Sequence, residues 1–458
     1  MSPWRAQPLP AAPGGRPMLA GALVAAAYGV AVHLPLGEGW VVAAAAVLAA
    51  LAFPAFAIPL CVVASMVQDA PGLHPTPALA AAVGCGTAHV LRGGARAVAA
   101  SSTALRATLA FALLAVLVGT LASLAGMLGF GHEQSAARPA LGVALADLAM
   151  PIVGAAIGAS AAADPGVARR MAGAALAGLA MMAVRVAVQV QLGPTAGFSE
   201  QGRDAIASVL QLSGNAPDGV IRYVGSMLTP NAMSMLAVFA AVLAWPSARR
   251  GGLPAAMLLG GAAVAAALLA GSKSSLVVAG AAALSFMLAA APRRTLAIAG
   301  TLATAAAVFL LMDDGTRWEQ VAARLRIDAV GSAITARSEA WDACERGLHA
   351  SDAVVGMGLS HWPVFFEREI GEYMADPHTA VFSYPWTYGI AGPVALLVAV
   401  AALARVAFRG GAARAPAIVL LATLLLRDLV AIPLLIGATV LTLQLWACMA
   451  LVLARDQR

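Results

Sequence analysis

The sequence predicts an all-α, polytopic integral membrane protein with about 12–14 transmembrane helices and one large extramembrane loop. Composition is the first reason, because 61% of the 458 residues are hydrophobic and 11% are charged, whereas soluble domains are roughly 45–50% apolar and about 25% charged. The second reason is the recurrence of apolar runs of about 17–25 residues, which as helices cross a hydrocarbon core of roughly 30 Å. A transmembrane barrel would show alternating strands instead.

The apolar runs can be placed along the chain. The second run contains Pro54 and Pro59, so it is either one long kinked helix or two short helices. The candidate spans are 18–36, 40–67, 76–91, 103–128, 139–162, 167–190, 228–246, 252–270, 274–291, 294–312, 384–408, 415–431 and 433–454.

Basic residues in the short connections predict the orientation, because cationic loops tend to stay cytoplasmic. The basic clusters fall on every second connection, so the intervening connections are expected to face the periplasm of a bacterial-type inner membrane. An N-terminus on the cytoplasmic side requires an even number of spans, which favours two helices within 40–67. The clusters are Arg92 with Arg96 and Arg106, Arg169 with Arg170, Arg249 with Arg250, Arg293 with Arg294, and Arg405 with Arg409 and Arg414.

Four segments follow from this topology. Two periplasmic loops are long enough to hold structure, and connections longer than about 12–15 residues are usually functional or disordered. The larger loop has aromatic residues and periodic apolar positions, so we expect the chemistry there. The segments are a cytoplasmic tail at 1–17, transmembrane helices at 18–312 with a periplasmic loop at 191–227, the large periplasmic catalytic loop at 313–383, and transmembrane helices with a short cytoplasmic tail at 384–458.

Charge and cysteine spacing exclude several classes of protein. The net charge of +6 comes from residues scattered at the ends of apolar runs, so no nucleic-acid partner is predicted. The four cysteines lie far apart, without a CxxC pair, which argues against a zinc cage or a disulfide framework. A divalent cation held by acidic and histidine residues is an alternative without regular ligand spacing, so neither a metal nor a cofactor is expected. The residues that could hold such a divalent cation are Asp313 with Asp314, or Asp376 with His361 and His378.

The large loop contains three motifs in a fixed order. Arg337 and Trp341, in RSEAW, lie one turn apart on an expected amphipathic helix. Gly356 and Gly358, in GMG, then interrupt that helix. His378 follows beside a proline and just before the next span, so we expect it close to the membrane surface.

In this order, the motifs resemble those of the O-antigen ligase and O-antigen polymerase superfamily, GT-C-like membrane glycosyltransferases that use polyprenyl-diphosphate-linked glycans. The resembling segments are RSEAW, GMG and PHTAVFSYPWTYGIAGP, with Thr379 where the family commonly has Asn. Upstream, IRYVGSMLTPNAMS with Arg222, and GSKSS with Lys273 in place of the usual Arg, are also similar. The resemblance covers roughly residues 215–410.

The resemblance implies an inverting transfer, and physical chemistry assigns roles to the residues. The partners would be an undecaprenyl-diphosphate-linked glycan donor, an acceptor such as lipid A core or a lipid-linked repeat unit, and membrane lipid. Fixed cations would stabilise the charge that develops on the departing diphosphate, and the imidazole of His378 would accept the acceptor's proton. The catalytic candidates are His378 and Arg337; the candidates for diphosphate and substrate binding are Arg222, Lys273, Arg185 and Trp341.

Each residue also has a structural interpretation. Arg337 can pair within its helix, His378 can cap or pack, and Arg222 and Lys273 can anchor phospholipid. Arg185 lies inside an apolar run, where a charged residue indicates function by default. Arg427 and Asp428 are interpreted as a structural ion pair at the outer interface. A polysaccharide or lipid transporter or flippase is the alternative function, suggested by the interrupted helices; no internal repeat supports it.

Overall fold

The computed structural model is mostly helical over the residues that it describes, and these residues include no strand. This confirms the all-α prediction for those residues. The described residues are 16–33, 39–66, 77–127, 137–193, 196, 223–224, 230–270, 272–295, 340–346, 354–358, 365–366, 369, 379–428, 434–437 and 439–454.

The helices of the first part of the chain are mostly apolar throughout and are joined by short connections. The segment after α4 continues through a π-helical turn at Val90–Gly94. In order, the helices are α1 (Arg16–His33), α2 (Gly39–Ala52), α3 (Pro54–Ala64), α4 (Pro77–His89), α5 (Ala95–Ala99), α6 (Thr103–Met127), α7 (Ala137–Ala163) and α8 (Pro165–Leu192).

The second part continues with helices on either side of the large loop. A three-residue turn, Arg249–Gly251, joins the first two of these helices, and a π-helical turn at Thr423–Asp428 extends the penultimate helix. In order, they are α9 (Pro230–Ala248), α10 (Gly252–Ala270), α11 (Lys273–Ala290), α12 (Ala380–Tyr388), α13 (Ala391–Arg409), α14 (Arg414–Ala422) and α15 (Val440–Leu453).

Pro54 divides the ambiguous second run into two helices. α2 ends at Ala52, Phe53 is extended with φ −124° and ψ 94°, and Pro54 is the first residue of α3. Proline fits that position because the first N–H groups of a helix have no intrahelical acceptor, whereas inside a helix it would remove a hydrogen bond. The predicted split of 40–67 is therefore confirmed.

Several helices are long and apolar enough to cross a membrane, so the protein is an α-helical membrane protein. By length and composition there are five such stretches within the described residues, and four shorter apolar helices accompany them. The predicted span 294–312 lies outside the described residues beyond position 295. The five stretches are Thr103–Leu124, Val143–Ala163, Pro165–Leu192, Asn231–Ala270 and Ala391–Arg409.

The predicted span at 384–408 differs in its beginning. The chain forms a separate short helix, α12, which ends at Gly389 with φ +60° before α13 starts. A residue with a Cβ is strained at that φ, so glycine allows the chain to turn between two helices. The pattern of apolar residues continues through this turn, so the sequence pattern predicts a single helix across it.

The core of the bundle is the contact between α7 and α15, because every residue of α15 is buried. Gly154 and Gly158 of α7 face it. A Cβ at Gly154 would lie 2.6 Å from the Trp446 Cβ, and one at Gly158 would lie 2.7 Å from the Leu451 amide nitrogen. This GxxxG spacing allows two helix backbones to approach closely, which is how membrane helices gain packing energy.

Short connections fix the relative direction of the helices. α7 and α8, α9 and α10, and α10 and α11 are each joined by one to three residues and pack against each other, so they run antiparallel. The end of α8 therefore lies beside the start of α7, and the end of α10 lies beside the starts of α9 and α11. Both groups lie at one end of the bundle, because the Tyr388 hydroxyl at the end of α12 is bonded to Asp147 of α7. The α13–α14 hairpin returns to that end, where Arg427 is bonded to Ser274 of α11. We call this the loop end, since the long connection that follows α8 leaves from it.

Candidate functional site

The structure describes only part of the predicted site. His378, Arg337 and Arg222 lie outside the described residues, so their roles stay predictions. Lys273 is the first residue of α11, and only its backbone is described. Trp341 and Arg185 are described in full.

A small apolar cluster holds the described parts of the large loop together. Buried residues of the helical segment 340–346 pack with two adjacent phenylalanines, whose rings meet edge to face with centroids 5.3 Å apart. Residues of the GMG turn and of α12 pack against the same cluster. Segments bearing Trp341, GMG and the residues after His378 are thereby brought together. The cluster consists of Ala340, Ala343, Cys344, Phe365 and Phe366, with Met357, Phe382 and Trp386 packed against it.

Backbone hydrogen bonds join the GMG turn to the end of α12. The Met357 amide donates to the Trp386 carbonyl at 2.5 Å, and the Ile390 amide donates to the Val354 carbonyl at 3.2 Å. Two bonds in opposite directions fix the register of these segments. The turn is therefore held against the helix that begins two residues after His378.

The two glycines of GMG lie where a side chain has no room. Gly356 has φ +86°, and a Cβ there would lie 2.7 Å from the Gly389 nitrogen. Gly358 has φ +92°, and its Cβ would lie 2.6 Å from the Ser123 nitrogen. Both the backbone conformation and the close approach demand glycine. Gly358 thus seats the loop on Ser123, in the last part of the membrane helix α6.

Thr379 begins α12 as its N-cap. Its Oγ1 accepts a hydrogen bond from the Val381 amide at 3.3 Å, and its backbone is extended, with φ −155°. Asn and Thr are both favoured at N-caps, so Thr379 can perform the capping role of the Asn that is common in the resembling family. Thr379, and not His378, is therefore the residue that caps this helix.

Tyr223, which follows Arg222, and Lys273 at the start of α11 lie near one corner of the loop end. The Tyr223 amide donates to the Leu269 carbonyl at 3.1 Å, so the chain directly after Arg222 contacts the last turn of α10. α11 begins at Lys273, four residues after Leu269. Tyr223 and the start of α11 therefore lie close together, although they are about fifty residues apart in sequence.

Arg185 lies on α8 and is 9% exposed. Gln189, one turn further along the same face, is fully buried. Both residues are in the last third of α8, which approaches the loop end. Burying a guanidinium in a membrane helix costs free energy unless the group has partners. The functional role of Arg185 stays a prediction.

Trp341 is partly buried, and it lies on the helical segment whose Ala340, Ala343 and Cys344 belong to the loop cluster. On the same helical segment, Asp342, Glu345 and Arg346 are exposed, whereas Ala343 and Cys344 are buried. The segment is thus amphipathic, as its sequence indicates. Trp341 lies at the boundary between its two faces.

Sequence analysis missed a buried carboxylate in the membrane. Asp147 of α7 is 1% exposed, and its Oδ2 accepts a hydrogen bond from the Tyr388 hydroxyl, the last residue of α12, at 3.3 Å. Its other oxygen, Oδ1, has no hydrogen-bond partner among the described residues. The available signal was a single acidic residue within the apolar run ALADLAM, because intramembrane charge is rarely incidental.

Metal binding has no support in the part of the chain that the structure describes, where no group of three or more His, Cys, Asp or Glu side chains converges. The alternative ligands Asp313, Asp314, Asp376 and His361 lie outside it. The Cys344 thiol is buried in the loop cluster, and burial raises its pKa to about 12. It is therefore a protonated core residue at neutral pH.

The fold and the site define a class of protein: an α-helical membrane protein in which the described segments between α11 and α12 pack against one end of the helical bundle. Comparison with family models, with curated proteins and with solved structures gives no match for this chain.

Proposed function

We propose that this chain is a membrane glycosyltransferase of the O-antigen ligase or polymerase type. It transfers or polymerises an undecaprenyl-diphosphate-linked glycan at the periplasmic face of a bacterial inner membrane. One observation supports the proposal most strongly: the GMG turn is hydrogen-bonded to α12, and both pack against the helical segment that bears Trp341. These are the loop segments in which the resemblance resides, and a single site needs them together.

The proposed reaction breaks one bond and forms another at the anomeric carbon. The acceptor hydroxyl attacks that carbon from the face opposite the diphosphate, so the configuration inverts. His378 accepts the hydroxyl proton, and polyprenyl diphosphate leaves with the bonding electron pair. Arg337, Arg222 and Lys273 stabilise the charge on its oxygens, while Trp341 offers an apolar face to the sugar.

The loop end suits a substrate that is half lipid and half sugar. The polyprenyl tail must stay in the bilayer while its diphosphate reaches cationic side chains. Gly358 seats the loop on α6, a helix with many exposed apolar residues. A cleft that opens sideways between loop and bundle meets both requirements.

Transfer by the purified protein tests this proposal. A polyprenyl-diphosphate oligosaccharide is supplied with lipid A core or with a second lipid-linked unit, and the glycan product is measured. We expect His378→Ala to lower kcat by about a hundredfold or more, because general-base catalysis contributes typically 10²–10⁴-fold. Arg337→Ala should lower kcat to a similar degree through lost electrostatic stabilisation.

Two variants serve as matched controls. Arg346→Ala removes an exposed arginine from the same helical segment as Trp341 and should retain activity. His361→Ala separates general-base from metal chemistry: with a metal site, both His361→Ala and a chelator would abolish transfer. Full activity of folded His378→Ala and Arg337→Ala proteins would refute the assigned site.

Transport of a lipid-linked glycan is the second candidate function, and one observation favours it. Asp147 and Arg185 are buried ionisable residues in membrane helices, and such residues commonly mark transport pathways. Transport requires that the glycan–phosphate bond stays intact, so the two functions differ in their products.

A further inference from the structure

α12 carries two pairs of aromatic residues, and the members of each pair are four residues apart. Phe382 and Trp386 pack against the loop cluster. Tyr384 and Tyr388 are buried, with ring centroids 6.2 Å apart, and their hydroxyls are hydrogen-bonded to other parts of the bundle. Residues four apart lie on the same face of a helix. One face of α12 therefore contacts the loop cluster, and another contacts the bundle.

The two tyrosine hydroxyls attach α12 to the core of the bundle. The Tyr388 hydroxyl donates to Asp147 Oδ2 of α7 at 3.3 Å, and the Tyr384 hydroxyl accepts a hydrogen bond from the Leu435 amide at 3.0 Å. The Leu435 carbonyl in turn accepts one from the indole N–H of Trp446, in α15, at 2.8 Å. Because α7 and α15 form the core contact, α12 is attached to both of its helices.

α6 provides the surface on which the end of α12 and the GMG turn meet. A Cβ at Gly119 would lie 2.8 Å from the Tyr388 Cδ1, so the tyrosine ring packs directly on the helix backbone. One turn further along α6, the Ser123 nitrogen is approached by Gly358 of the GMG turn. The Ser123 hydroxyl donates to the Gly119 carbonyl at 2.9 Å. The last residue of α12 and the GMG turn therefore rest on adjacent turns of one helix.

The polar partner of Tyr388 lies where a charge costs free energy. Asp147 is 1% exposed inside the membrane-spanning stretch Val143–Ala163, and its Oδ1 has no hydrogen-bond partner among the described residues. An apolar side chain of similar size would avoid this cost. Buried polar groups that cost stability can instead fix the register of packed elements. The bond to Tyr388 has that effect, since it sets where α12 ends relative to the bundle.

We infer that Asp147 and Tyr388 are positioning residues of the proposed transfer, an inference that rests on the proposed function. Their hydrogen bond sets the position of α12 and, through the backbone bond between Met357 and Trp386, the position of the GMG turn. A small displacement of groups that must be aligned lowers the rate of a reaction. Loss of this bond should therefore lower kcat, whereas KM should stay unchanged, because neither side chain binds the substrate in this role.

Transfer kinetics of four single variants test the inference. Tyr388→Phe and Asp147→Leu remove the bond, so we expect each to lower kcat about three- to tenfold at unchanged KM, the range that one hydrogen bond supplies. Asp147→Asn keeps an oxygen that accepts the same bond and should retain most of the wild-type kcat. Tyr28→Phe is the matched control. It removes the hydroxyl of a buried tyrosine in α1, which packs against α3 and α8, and should leave kcat unchanged.

Alkylation of Cys344 gives a second readout that needs no turnover. Cys344 is buried in the loop cluster that packs against α12. If the Tyr388 bond holds α12 in place, Tyr388→Phe should raise the fraction of molecules with an open cluster, and with it the alkylation rate, about three- to tenfold. Asp147→Asn and Tyr28→Phe should be alkylated at the wild-type rate. Mass spectrometry of the modified peptide measures the rate at this cysteine.

Each other result contradicts a defined part of the proposal. Equal kcat of wild type and folded Tyr388→Phe overturns the inference and leaves the proposed function standing. If Tyr388→Phe does not fold, equal kcat of Asp147→Asn and Asp147→Leu has the same meaning, because the accepting oxygen is then irrelevant. A raised KM at unchanged kcat would place the pair in substrate binding and refute a positioning role. Absence of transfer by the wild type overturns the proposed function and the inference with it, whereas the Cys344 rates still show whether the bond holds the loop cluster.

Discussion

One residue at each end of α12 fixes this helix in place. Thr379 caps α12, and Tyr388 at the other end of that helix is bonded to Asp147 of α7. An N-cap contributes about 1 kcal/mol, and an intramolecular hydrogen bond typically contributes about 0.5–1.5 kcal/mol. Both ends of the helix that begins two residues after His378 are thereby fixed, which the proposed role of His378 as a base requires of its neighbours.

The Cys344 thiol is expected to be unreactive in the folded protein. Its pKa is raised to about 12 by burial, against about 8.5 for a free thiol, so its thiolate fraction near pH 8 falls by about three orders of magnitude. The unfolded thiol ionises first as pH rises. Loop packing should therefore weaken progressively above about pH 8.5. Alkylation rates followed by mass spectrometry measure this.

A thiol on the exposed face of the same helical segment is the matched control. Asp342 is exposed, so Asp342→Cys should be alkylated rapidly, and Cys344 should react only after denaturation. Rapid alkylation of Cys344 at neutral pH in the folded protein would contradict its place in the loop cluster.

Some residue-level features could be predicted from sequence and others could not. Gly356 and Gly358 were predicted to interrupt a helix, and both have positive φ. Their contacts with Gly389 and Ser123 depend on tertiary packing, which no local pattern contains. The bond of Arg427 to Ser274 joins positions about 150 residues apart, so no local pattern indicates it. The predicted pair of Arg427 with Asp428 stays a prediction, because the Asp428 side chain lies outside the described residues.

At the scale of elements, the GMG turn should be intolerant of any side chain. Gly356→Ala combines a left-handed backbone, which costs a Cβ-bearing residue roughly 1–2 kcal/mol, with a clash against Gly389. We expect the proposed transfer to fall more than tenfold while the helical bundle stays folded. Transfer rate and circular dichroism of the same preparation measure the two effects.

Gly410 provides a control for the backbone strain. It has φ +82°, similar to Gly356, but a Cβ there would meet nothing within 4 Å. Gly410→Ala should therefore carry the strain without the clash and retain activity. Equal activity of both variants would show that the close approach of the turn to α12 is unimportant.

The contact between α7 and α15 predicts a second difference between glycines. Gly158→Ala places a methyl group 2.7 Å from the Leu451 nitrogen, so overpacking should destabilise the bundle by about 1–3 kcal/mol. Gly280→Ala on α11 meets open space and should be neutral. Unfolding midpoints in detergent compare the two; the same midpoint for both would contradict the close crossing of α7 and α15.

Helix existence was more predictable than helix termination. Apolar runs predicted the helices because hydropathy decides which segments leave water, and the boundary between the two helices within 40–67 falls at Pro54. The end of α12 at Gly389 was missed because Pro385 and Gly389 lie inside a continuous apolar pattern. Proline and glycine are tolerated in membrane helices, so they are weaker signals there than in soluble proteins.

At the scale of the whole molecule, the helical bundle forms the packed core, and the segments considered for function lie at the loop end. The bundle supplies a rigid base, with α15 entirely buried at its core. Connections at the loop end bring the Tyr223, Lys273 and Arg427 segments to one corner, and α12 joins the large loop to the same end. This arrangement suits a donor whose diphosphate lies at the membrane surface.

The most direct measurement asks whether the glycan–phosphate bond breaks. Purified wild-type protein in liposomes is given a polyprenyl-diphosphate oligosaccharide labelled in both lipid and sugar, with a glycan acceptor. The proposed glycosyltransferase separates the two labels: free polyprenyl diphosphate accumulates, and the sugar label appears on the acceptor. Movement of the doubly labelled lipid across the bilayer without separation of the labels would contradict transfer and establish transport.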